Sequence, residues 1–133
     1  MEIHYLNTDL ELESPKDLTP IVEAFGEDVV NLYNGKARGH YLASFEIASS
    51  EGSPDSKIQY YCMLAESLFG EEKILWEGCY SKVFDIGYEG GTGHKSYTDE
   101  VRANTLERVV ALGASIRVTI YPMNFGLNEE NQP

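Results

Sequence analysis

Apolar and polar side chains alternate from residue 3 to residue 13. Leu6, Leu10 and Leu12 fall on one face with His4 and Thr8, and Asp9, Glu11 and Glu13 fall on the other after Ile3, Tyr5 and Asn7. A period of two predicts a strand with one buried face and one face that ends in acids. The period then changes. Leu18, Ile21, Val22 and Phe25 recur at helical spacing and stop before Gly26, the signature of a short helix with glycine just past its end. Pro20 fixes where that helix starts. Capped at Ser14, it would hold a proline in its interior at a penalty of about 3 kcal/mol. Capped at Asp17, it has Pro20 in the first turn, where no N–H is needed.

Residues 29–33 and 40–48 read as a hairpin joined across 34–39 by the turn signal Asn34-Gly35. In the return strand Tyr41, Ala43, Phe45 and Ile47 alternate with His40, Leu42, Ser44 and Glu46. After a polar loop comes the most regular helical stripe of the chain: Ile58, Tyr61, Cys62, Ala65, Leu68 and Phe69, with Ser53 or Ser56 as cap and Gly70 past the end. A strand is expected within 74–88, where Tyr80, Phe84 and Ile86 alternate with Cys79, Ser81, Val83 and Asp85. A glycine-rich loop follows, then a helix capped by Thr98 and ended by Gly113. A last strand carries Ile116, Val118 and Ile120 on one face and Arg117, Thr119 and Tyr121 on the other, up to Pro122. The order β-α-β-β-α-β-α-β predicts an α+β fold. Its first six elements match the split βαβ arrangement of the ferredoxin-like fold, extended by a helix and a strand, with the helices on one face of the sheet. One domain is expected over 1–122, with a flexible polar tail over 123–133.

Charge narrows the functional classes. The 133 residues hold 22 Asp and Glu against 10 Lys and Arg, a net charge of −12. Such a field repels nucleic acid and anionic membranes and attracts basic partners. Hydrophobic residues make up 42%, enough for a folded core. No apolar run approaches a membrane span, and the opening Met1-Glu2-Ile3-His4-Tyr5 is unlike a secretory leader. Cys62 and Cys79 lack metal-type spacing and read as reduced, packed thiols, so a cytoplasmic protein is expected.

The segment from Gly87 to Ser96 follows a strand, precedes a helix and ends in Lys-Ser, as a phosphate-binding loop does. However, His94 separates Gly93 from Lys95, and Glu89 would set a negative charge beside a phosphate. His4, His40 and His94 show no ligand spacing, Cys62 sits on an apolar helical stripe rather than beside a base, and no cofactor signature is present. The acids are the remaining candidates. Asp9, Glu11 and Glu13 share a strand face, Glu71 and Glu72 sit together, and Trp76 stands beside Glu77 as a possible aromatic anchor.

Two stretches carry a resemblance. The block from Phe84-Asp85-Ile86-Gly87-Tyr88 through Leu112-Gly113-Ala114-Ser115-Ile116 to Ile120-Tyr121-Pro122, and the opening Glu2-Ile3-His4-Tyr5-Leu6-Asn7-Thr8, resemble small bacterial proteins known only as a domain of unknown function. This resemblance implies a bacterial cytoplasmic origin and carries over no catalytic residue. In size and acidity the chain is also similar to immunity proteins of contact-dependent toxin systems. The expectation is a non-enzymatic binding protein for a basic partner such as a toxin, contacting it through Asp9, Glu11, Glu13, Glu71, Glu72 and Trp76. Self-association stays open. The alternatives are a ligand site or small enzyme built on Asp85, His94 and Lys95, and a structural or assembly component.

Overall fold

The computed structural model describes residues 2–93 and 95–123. His94 and the expected tail beyond Met123 lie outside them. The α+β class expected from the sequence holds: among the described residues five strands form one sheet in the order β2-β3-β1-β4-β5, and four α-helices pack on it.

β1 (His4–Ser14) lies at the centre, antiparallel to β3 (His40–Glu46) on one side and to β4 (Ser81–Glu89) on the other. β2 (Val30–Ala37) pairs antiparallel with β3, and β5 (Ser115–Tyr121) pairs parallel with β4. Cross-strand partners share a face, so register defines the core. Leu10 opposes both Phe45 and Phe84, Leu12 opposes Ala43, and Thr8 opposes Ile86. All are buried. The alternation of β1 is broken near its start by a register shift between Tyr5 and Asn7. Tyr5 therefore reaches the buried side, where its hydroxyl meets that of Thr8, while Leu6 is left exposed.

Each helix is anchored to that same face. α1 (Thr19–Phe25) sets Phe25 edge-on to Phe45 with ring centroids 5.4 Å apart. Its start is close to the expected one: Pro20 sits in the first turn, and Asp17 accepts bonds from the Thr19 N–H and hydroxyl. α2 (Pro54–Glu66) opens on a capping box in which Ser53 and Ser56 bond one another reciprocally. Its Tyr61 stacks on Phe84 and donates to the carbonyls of Thr8 and Phe45 across two strands.

α3 (Gly70–Glu77) corrects the sequence reading, which continues toward a strand here. Eight residues fold as a separate helix that buries Leu75 and Trp76. α4 (Ala103–Ala111) begins later than Thr98. In place of a side-chain cap at its own start, Asp55 of α2 accepts the Arg102 N–H at 2.9 Å and the Gln59 amide at 3.0 Å.

The connection of the hairpin is also shorter than expected. Asn34 and Gly35 belong to β2. The turn is Arg38-Gly39, with φ of 53° and 88°, the left-handed pair that a two-residue hairpin with the strands' own twist requires. Among the described residues no helix is long and apolar enough to cross a membrane.

Candidate functional site

Because all four described helices lie on one side, no described helix covers the other side of the sheet, and its composition is set by register. Opposite the odd positions of β1 stand Asp85 beside Asp9, Ser44 and Val83 beside Glu11, and Leu42 and Ser81 beside Glu13. Alternation adds Glu46 on β3 and Glu89 on β4. Six carboxylates from three adjacent strands therefore share one open face: Asp9, Glu11, Glu13, Glu46, Asp85 and Glu89.

Arg117 of β5 is the one Lys or Arg among the described strand residues on this face. Its guanidinium stands 2.7 Å from Glu11 and donates to Asp85 at 3.0 Å, and these two carboxylates push its pKa further up. Thr119 donates to the other Asp85 oxygen at 2.8 Å. Glu13 pairs with His40 at 2.8 Å and Glu89 with His4 at 3.4 Å.

Asp9 has no comparable partner. Among the described residues, no hydrogen bond or ion pair reaches its carboxylate. Burial, then the charges of Glu46, Asp85 and Glu11, raise its pKa from 3.8 to about 6, against a smaller opposing pull from Lys57. Among the described strand residues the face thus holds six carboxylates against one Lys or Arg.

The sequence-predicted contacts divide into two groups. Asp9, Glu11 and Glu13 come together on the open face. Glu71, exposed, and Glu72, half-buried, stand in the first turn of α3, in the helical layer on the other side of the sheet. Trp76 is corrected from exposed anchor to core residue. It is 3% exposed, its indole N–H donates to Leu112 O at 3.0 Å, and Lys82 lies over its ring. The helical turn of α3 that brings Leu75 to the core brings Trp76 with it.

The aromatics that do flank the acids are tyrosines. Tyr33 opposes Ser44, Tyr80 packs edge-on to His40, and the Tyr121 ring lies over Gly87, where a Cβ would come within 3.5 Å of it. All three rings are exposed. Only the strand order brings them beside the acids, and local sequence carries no signal of it.

Two residues of the alternative ligand set are engaged elsewhere. Asp85 gives both oxygens to β5 residues, Lys95 forms an ion pair with Glu2 at 3.8 Å, and His94 lies outside the described residues. Cys62 is buried, and desolvation pushes its thiol up to about 11, away from nucleophilic use. Among the described residues no group of three His, Cys, Asp or Glu side chains could hold a metal ion. Compared with known proteins, the chain matches no family model, no curated protein and no solved structure.

Proposed function

We propose that this protein is a non-enzymatic acidic binding protein whose open sheet face takes a basic protein partner. Its most concrete form is an immunity-type inhibitor that covers the cationic substrate site of a toxin such as a nuclease. The observation that carries this reading is the six carboxylates on the face away from the helices, where Arg117 is the one Lys or Arg among the described strand residues.

Long-range attraction from a −12 chain would steer the encounter. Carboxylates spaced along three strands would then meet arginines and lysines on the partner, with Tyr33, Tyr80 and Tyr121 supplying apolar contact at the rim. Asp9, whose carboxylate has no hydrogen bond or ion pair among the described residues, supports the same reading. An acid kept half-buried among three others opposes folding, and a cationic partner would relieve that repulsion.

At the level of fold, we read the first four strands as the split βαβ arrangement of ferredoxin-like proteins. What supports this is that β3 lies between β1 and β2, and β1 between β3 and β4, all antiparallel. On that reading α3, α4 and the parallel strand β5 are additions.

The test is a pull-down from the source cells at low salt, repeated at high salt, with mass spectrometry of the retained proteins. A basic protein held at low salt and released at high salt is expected. A partner retained equally at both would remove the electrostatic mechanism.

A further inference from the structure

The two edges of the sheet are finished differently. β2 carries a register shift between Asn31 and Tyr33. Two of its carbonyls are taken by its own side chains, with the Asn31 amide donating to Tyr33 O at 2.8 Å and the Tyr33 hydroxyl to Lys36 O at 2.7 Å. An edge so treated resists further pairing.

β5 has neither device. Its register with β4 runs unbroken from Ser115 to Tyr121. The Gly90 N–H donates to Tyr121 O, so Tyr121 turns its backbone groups toward β4, as by alternation do Thr119, Arg117 and Ser115. The N–H and C=O groups of Ile116, Val118 and Ile120 therefore face outward. Pro122 ends that series of donors.

The side chains of these three residues lie on the helix-covered side, opposite Phe84, Ile86 and Tyr88. Even so, Val118 and Ile120 are 57% and 62% exposed. α4 leaves them open because it leans on α2, through Gln59 to Thr105 and Glu66 to Arg108. On the side of α4 turned away from α2, Leu106 and Val110 are 41% and 74% exposed.

We propose that β5 pairs antiparallel with β5 of a second copy, about a two-fold axis through Val118. The strand is self-complementary in that register. Val118 opposes Val118 and Ile116 opposes Ile120, and these are the residues with outward-facing backbone groups, so donors meet acceptors along the pair. Arg117 opposes Thr119, and β5 contains no acid, which lets two chains of net charge −12 approach here. A stable interface needs about 800 Å² from each partner. A seven-residue strand supplies this only with the Leu106 and Val110 face beside it. The joined sheet would keep both acidic faces on one side, so the pairing is independent of the basic partner proposed above.

Sedimentation equilibrium of the full chain at low and high sodium chloride tests this. A dimer that tightens with salt is expected, because screening removes the repulsion between the copies. That trend is opposite to the one expected for a basic partner. Val118→Glu sets two carboxylates opposite one another at the axis and should weaken the dimer about tenfold or more, with Ile120→Glu as a second variant. Both side chains are exposed in one copy, so the melting temperature of the dilute monomer should be retained. Leu32→Glu on the β2 edge should leave the dimer unchanged. A chain monomeric at both salt concentrations overturns the pairing, as does a dimer that survives both β5 variants. A chain that dimerises only when cut after Met123 also overturns it, by assigning the edge to its own C-terminal residues.

Discussion

Replacing Asp9 by asparagine should stabilise the fold, which is an unusual expectation for a half-buried residue on a central strand. The native pKa lies near 6 instead of 3.8, with burial as the first cause and the charges of Glu46, Asp85 and Glu11 behind it. Two units correspond to roughly 3 kcal/mol if taken whole. The side chain keeps contact with solvent, and screening reduces the figure to about 1 kcal/mol. The sign follows from proton binding. The native carboxyl holds its proton at a pH where the unfolded one has lost it. Stability attributable to Asp9 therefore falls as pH rises from about 4 to about 6 and stays low above that. A neutral amide in its place carries no such penalty. Urea denaturation at pH 7.5 should show Asp9→Asn about 1 kcal/mol more stable, or roughly 3–5 °C higher in Tm, and the advantage should vanish as pH approaches 4. A variant less stable than the parent at pH 7.5, or an advantage independent of pH, would refute the reasoning.

Two further substitutions probe contacts that hold the helical layer. Asp55→Ala removes the acceptor for the Arg102 N–H and the Gln59 amide; a loss of about 1–2 kcal/mol is expected, with hydrogen exchange faster at the start of α4 than elsewhere. Lys57, 3% exposed, donates to Asn7 Oδ1 at 2.8 Å and Ser49 O at 2.9 Å, and its ammonium lies over the Tyr5 ring. Lys57→Met keeps the apolar stem but removes the donor from both acceptors, and chemical denaturation should register a loss of about 1–3 kcal/mol.

The parts of the fold legible in sequence are those that local periodicity decides. The acidic and buried faces of β1 from Thr8 onward and the stripe of α2 from Ile58 to Ala65 stand as the periodicity predicts, because one side of each meets the core; the stripe stops there, since α2 ends at Glu66 and Phe69 is exposed. Where two local signals compete, the stronger one misleads. Asn34-Gly35 is a better turn dipeptide than Arg38-Gly39, yet pairing of Tyr33 with Ser44 extends β2 past it, and Gly35 serves to admit the Tyr33 ring, whose oxygen would lie 3.2 Å from a Cβ. α3 is hidden by its brevity: with Leu75 and Trp76 as its buried residues, no stripe can develop. For the site, the triad Asp9, Glu11 and Glu13 is visible because it lies on one strand. Its neighbours Glu46, Asp85, Arg117 and the three tyrosines come from distant segments, and only the strand order brings them to it.

The open acidic face is the proposed contact surface for the basic partner. The partner retained at low salt should be titrated against the parent chain, against Asp9→Asn/Glu11→Gln/Glu13→Gln, and against Glu71→Gln/Glu72→Gln, with each fold checked by its melting curve. Affinity about tenfold weaker or more is expected for the triple variant, with a shallower salt dependence, and little change for the α3 pair. Affinity unchanged in the triple variant, or lost instead with Glu71 and Glu72, would contradict that assignment of the contact surface.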